Sequence, residues 1–243
     1  MRLNSAEGKQ ILATLRDGDY AHPGEDEAVA LTLQGLAPDP GQRVLDVGCG
    51  RGGTAEWIRR HGWTQVVGID VDTEVIGYAR QRYPQVQFCD CDVLALPEAD
   101  LGRFDLICLF NSFYAFADQQ AALRALRAVS AAGAQLRLFD YAQPAPGPLP
   151  AALGTEIGRP IALDRIADQL ADAGWVEPAI TDLSLRYIGW YQYLLDKLAA
   201  RRSQITADHG ADWHTFFTGW YGALHQALID GQIRGVLIAA TAG

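Results

Sequence analysis

The sequence lacks the basic excess that proteins binding polyanions carry. Lysine and arginine number 20 against 29 aspartates and glutamates, a formal net charge of −9. Affinity gained by neutralising phosphates requires a basic face, so nucleic acid is not expected as a partner. A run of about 20 uninterrupted apolar residues is also missing, and no membrane association is expected. The opening segment, MRLNSAEGKQILATLRDGDY, breaks its apolar positions with charges and lacks the apolar core of a signal peptide. A cytoplasmic location is the expectation. Cysteine is sparse: Cys49, Cys89, Cys91 and Cys108 form no CxxC pair and have no histidine partners at zinc spacing. Reduced thiols and no metal are expected. There is no internal repeat, and 49% hydrophobic with only 20% charged residues is enough apolar material for a core.

What is present alternates short β-rich runs with longer helical stretches, the pattern of a parallel sheet with crossover helices. Strands are predicted at 43–48, 65–70, 86–92, 104–110 and 134–141, with helices at 54–61, 73–83 and 119–131. Asp72 and Asp118 stand where N-caps belong. Two amphipathic segments, 5–16 and 25–36, precede the first strand and read as a lid. Pro144, Pro146, Pro148 and Pro150 mark an extended connector after the fifth strand. A helix at 163–173, a sixth strand at 177–186 and a last strand at 234–241 follow. The long helical stretch between those two strands exceeds what a hairpin needs and predicts a cap.

The chemistry is concentrated in VLDVGCGRGGTA, residues 44–55, a strand running through a glycine-rich turn into a helix. Glycines allow close ligand approach, and the helix N-terminus presents free N–H groups. Gly48, Gly50 and Gly53 satisfy the GxGxxG spacing of dinucleotide-binding proteins, with Asp70 placed as a ribose-binding acid. The turn alone therefore leaves the ligand open. Asp46, two residues before the first glycine, can hold an ammonium group, which an amino-acid-like ligand has and a pyrophosphate does not. Asp92 in CDVLALP can accept from an adenine amino group, with Asp90 as the alternative if the strand register slips by two.

Together, LDVGCGRGG, GIDVD, CDVLALP and FDLICLFNSFYAF resemble the ordered motifs of the class I S-adenosylmethionine-dependent methyltransferases over residues 40–141. The resemblance implies a single Rossmann-like α/β domain, a doubly wound seven-stranded sheet whose last strand is antiparallel. Residues 1–40 would form the helical lid, 41–186 the cofactor-binding core, 187–231 the helical cap and 232–243 the last strand. It implies S-adenosylmethionine as cofactor and S-adenosylhomocysteine as product. Asp46, Gly48, Cys49 and Gly50 would surround the methionine end, Asp70 the ribose and Val71 the adenine face. Asp92 and the backbone of Val93 would read the adenine edge, and Phe110 and Asn111 would flank the sulfonium. Displacement at an activated methyl asks mainly for alignment and water exclusion, so a missing acid–base set is no argument against catalysis.

The acceptor belongs above the carboxyl edge of the sheet. Asn111, Tyr114 and Asp140 are the candidates for the catalytic step. Tyr20 and His22 from the lid and Tyr187, Trp190 and Tyr191 from the cap are candidates for substrate contacts. The remaining cap aromatics recur at helical spacing, as in helices packed on their own core or on a second copy. From WYQYLLDKLAARR onward the chain is similar to sarcosine/dimethylglycine N-methyltransferases and to natural-product O-methyltransferases. Where several of the latter carry a loop histidine, this chain has NSFYAF, with Tyr114 or Ala115 in its place. An amine acceptor fits that departure, because a neutral amine is already nucleophilic and aromatic faces suit an ammonium group. The alternatives are O- or C-methylation of a planar metabolite, a nicotinamide-dependent oxidoreductase, and a module that binds the cofactor without catalysis.

Overall fold

Runs of β-branched and aliphatic residues buried on both faces build the centre of the sheet, as parallel strands covered on two sides require. In the computed structural model, which describes residues 1–3, 5–145, 147–154 and 156–243, these are β1 (Arg43–Val47), β2 (Gln65–Asp70), β3 (Gln87–Asp90), β4 (Phe104–Phe110) and β5 (Ser130–Gln143). β7 (Trp175–Asp182) and β8 (Arg234–Ala242) complete the order β3-β2-β1-β4-β5-β8-β7, in which β8 runs antiparallel to both neighbours. A two-residue strand, β6 (Ile161–Ala162), pairs with the end of β5. The described sheet thus has eight strands where the pattern predicts seven. Two residues are too few to leave an alternation in the sequence.

Helices α3 (Gly53–Arg60), α4 (Thr73–Arg82), α5 (Gln119–Ala128) and α6 (Ile166–Asp172) cross over the sheet. Asp72 accepts from the Glu74 and Val75 amides and Asp118 from the Ala121 amide, so both serve as N-caps. α5 stops earlier than predicted because Ser130 already pairs with Phe104. The sixth strand ends at Asp182, whose carboxylate accepts the Ser184 amide as the chain turns into a helix. Of the proline connector, Pro146 lies outside the described residues.

Strand alternation divides the molecule. Leu45, Val47, Ile107, Leu109, Leu136 and Leu138 pack with α5 and α6 on one face. Val44, Cys108, Phe110, Phe139 and Tyr141 point to the other, toward the lid helices α1 (Ala6–Leu15) and α2 (Glu25–Thr32) and the cap helices α7 (Ser184–Ala200), α8 (Arg202–His209) and α9 (Ala211–Ile229). The apolar side of α9, Trp213, Phe217, Trp220, Tyr221 and Leu224, is buried within the chain. No helix of the described residues is long and apolar enough to cross a membrane.

Candidate active site

A cavity of about 480 Å³ opens at the carboxyl edge of β1, β2, β3 and β4, lined by Gly48, Gly50, Asp70, Val71, Asp92, Val93 and Asn111 among others. Its floor is the turn after β1. Gly48 and Cys49 donate their amides to the Ile69 carbonyl at 2.8 and 2.9 Å, which folds the loop back over β2. Gly48 has φ +74, and a Cβ there would collide with Ser112. Asp70 holds the turn from the other side, accepting from the Gly50 amide at 2.9 Å and the Asp72 amide at 3.0 Å.

Asp46 lies just beneath, buried, with its Oδ2 unpartnered. Burial, reinforced by the charge of Asp70, pushes its carboxyl up to about 7. A buried orphan oxygen beside a ligand cavity fits the ammonium of an amino-acid ligand. Asn111 supplies the second orphan: it has φ +48, its Nδ2 is buried without a partner, and its Oδ1 accepts from the Tyr187 hydroxyl at 3.3 Å. On the opposite wall Val71 is 68% exposed and Leu94 47% exposed, two bare apolar side chains placed to take a flat base between them. Asp92 lines the cavity while accepting from the Leu94 amide, whereas Asp90 faces out and pairs with Arg80. Of the two, Asp92 is the one that lines the cavity.

Other predicted residues are placed differently. Cys49 is buried against Gly68 and does not line the cavity. Phe110 lies under the lid, its ring 4.9 Å from His22 and 5.9 Å from Phe139. Asp140 is fully buried on the α5 face of β5 and accepts from the Phe113, Tyr114 and Tyr141 amides at 2.8, 3.3 and 2.7 Å. Burial raises it to about 7 against the pull of those amides. Through these amides it anchors the loop after β4. His22 is buried, with Nδ1 3.2 Å from the Pro23 carbonyl and Nε2 2.9 Å from the Thr54 hydroxyl. Burial drives its pKa down to about 3, which leaves it neutral. Tyr20 is half-buried and donates to Asp26.

The cap aromatics meet the core. Tyr187 packs on Phe139 with ring centroids 4.9 Å apart, and Trp190 lies 5.9 Å from Phe139 while donating to Glu27 at 2.9 Å. Tyr191 bonds through its hydroxyl to Tyr141, and the Tyr114 ring sits 5.2 Å from Tyr141. Lid residues absent from the prediction also reach the site. Lys9 lines the cavity and pairs with Asp72 at 3.0 Å, and Asp19 accepts from Arg51, Tyr78 and Tyr83. Leu94 could have been found as an apolar residue two places after Asp92. Lys9 and Asp19 carry no comparable signal.

Strand order, glycine turn and cavity together define the fold of the class I S-adenosylmethionine-dependent methyltransferases. Residues 44–133 match the methyltransferase domain family. The chain is 24% identical over 231 residues to phosphoethanolamine N-methyltransferase 1 of Zea mays, covering 90% of this chain and 45% of the relative. It is 30% identical over 154 residues to an O-methyltransferase of Pyrenophora dematioidea, covering 59% and 57%. The chain thus spans about half the length of these relatives. Among solved structures it superposes on Haemonchus contortus phosphoethanolamine N-methyltransferase 2 in complex with phosphomonomethylethanolamine and S-adenosylhomocysteine. The TM-score is 0.88 at 16% identity, over 98% of this chain and 58% of that one.

Proposed function

We propose that the chain transfers a methyl group from S-adenosylmethionine to a small molecule, with an amine nitrogen as the acceptor. The observation that carries the reading is the pair of buried orphan atoms at the cavity, Asp46 Oδ2 and Asn111 Nδ2, beside the apolar walls of Val71 and Leu94. When bound, the cofactor supplies a methyl already activated by positive sulfur. Asp46 would hold the ammonium, Asp70 the ribose hydroxyls and Asp92 the adenine amino group. Asn111, fixed by Tyr187, would position the reacting end, and the aromatic rings of Phe139, Tyr187 and Trp190 would exclude water and face an amine. Tyr114, on the loop that Asp140 anchors and with its ring against Tyr141, is the candidate to accept a hydrogen bond from the amine N–H and aim the lone pair at the methyl, the proton leaving to solvent after transfer.

Support for an amine comes from the aromatic rings packed behind Asn111, which Tyr187 bonds, and from the N-methyltransferase relatives. Similarity to an O-methyltransferase favours hydroxyl methylation as the second reading. Measuring S-adenosylhomocysteine release across amines, phenols and sugars separates the two. Turnover confined to amines is expected, and turnover of hydroxyl acceptors with inert amines would overturn the proposal.

A further inference from the structure

Arg16, at the end of α1, is the one buried cationic side chain among the described residues, only 2% exposed. One carboxylate answers it: Nη1 pairs with Glu25 at 3.0 Å, while Nε is buried without a partner. The rest of its surroundings are phenols. Tyr221, Tyr191 and Tyr141 are the phenols close enough to act on its charge; the Tyr191 ring stacks on Tyr221, and the Tyr191 and Tyr141 hydroxyls bond to each other. Burial first, then the neighbouring hydroxyls, raise Tyr141 far above its ordinary range, so it stays a protonated donor; Tyr191 and Tyr221 are likewise raised, chiefly by burial. For Arg16, burial opposes the charge, but Tyr221 and Glu25 outweigh it.

The cluster is rich in donors and poor in acceptors, and a buried donor left unmade costs on the order of 1–3 kcal/mol. Four separate elements contribute: α1, β5, α7 and α9. The cluster also continues into the site. Tyr141 packs 5.8 Å from Tyr187, and Tyr187 donates to Asn111 at the cofactor cavity. We propose that Arg16, Tyr141, Tyr191 and Tyr221 form an anion subsite that holds an acidic group of the acceptor, so the substrate is a small amine carrying a phosphate or carboxylate. This rests on the methyl-transfer reading above and names the substrate class for that same site. Because Arg16 belongs to the lid, the anion would also tie the lid to the cap.

The test has a turnover arm and a binding arm. Phosphoethanolamine, sarcosine and uncharged ethanolamine are compared as acceptors in wild type and in Arg16→Gln, with S-adenosylhomocysteine affinity as the check on folding. At least a tenfold preference in kcat/KM for one of the anionic amines is expected, and the better of the two identifies phosphate or carboxylate. In Arg16→Gln the preference should vanish through KM. If that variant loses S-adenosylhomocysteine binding, Tyr191→Phe takes its place, with a several-fold rise in KM for the anionic amine only. In the second arm inorganic phosphate is titrated calorimetrically into the S-adenosylhomocysteine-loaded protein, where saturable binding that weakens at least tenfold in the variant is expected. Equal turnover of neutral and anionic amines, or phosphate binding that is absent or unchanged by the substitution, overturns the subsite while leaving amine methylation standing. If no amine turns over, the methyl-transfer reading fails and the phosphate arm alone decides the subsite.

Discussion

Asp46 shows how much one residue can report. Its carboxyl is raised to about 7 by burial and by Asp70, so folding favours the protonated acid. The stability this contributes is full below the ordinary carboxylate pKa and is lost as pH rises through about 7. Asp46→Asn mimics the protonated acid and should match wild type only below about pH 4, its advantage growing from there to about pH 7. At pH 8 it should exceed wild type by on the order of 4 kcal/mol in the ligand-free protein. Thermal denaturation of both proteins across that range checks it; a constant difference would mean that Asp46 does not titrate there. Gly48 is the second test at this scale. With φ +74 and Ser112 in the path of a Cβ, Gly48→Ala should lower stability by about 2 kcal/mol or more and abolish S-adenosylhomocysteine binding. Calorimetric binding near the wild-type value would contradict it. The three carboxylates were legible because each stands at a fixed distance from a strand end. Asp140 was misread, although strand parity carried the answer: it shares the face of Leu136 and Leu138, whereas Tyr141 faces the cap. Arg16 was invisible, since an arginine closing an amphipathic helix reads as solvated until the cap is seen to cover it.

At the level of elements, the lid is fastened to the core through Asp19. Its carboxylate receives Arg51 at 2.7 Å, Tyr83 at 2.7 Å and Tyr78 at 3.1 Å, and a Cβ on Gly53 would strike its backbone carbonyl. Removing a largely buried carboxylate that satisfies three donors costs on the order of 1–3 kcal/mol. Asp19→Ala should therefore release α1 locally: amide exchange in α1 and in the 16–22 segment should accelerate at least tenfold while the strands keep their protection. S-adenosylhomocysteine affinity should fall several-fold, because Lys9 rides on the same helix. Unchanged exchange in α1 would show that the lid is held elsewhere. Both lid helices and the cap were legible as amphipathic segments. Their mutual contacts were not, because Gly24 and Trp190 or Lys197 and Asp17 meet only once the sheet brings the chain ends together.

For the whole molecule, the doubly wound core followed from the alternation of strands and helices, whereas the antiparallel last strand was implied only by the family resemblance. The addition of β6 and the early end of β7 are local effects of pairing and of the Asp182 turn. The fold brings Asp70 and Asp92 to one cavity at the sheet edge, with Asp46 buried near Asp70, and Tyr187 of the cap reaches that cavity through its bond to Asn111. The proposed function rests on that arrangement. Calorimetric titration of S-adenosylhomocysteine into wild type and into the double variant Asp70→Asn, Asp92→Asn tests it most directly. Saturable binding to wild type, weakened at least a hundredfold in the variant, or about 2.7 kcal/mol, is the predicted result. Equal affinity in the two proteins, or no binding to wild type, would contradict the account.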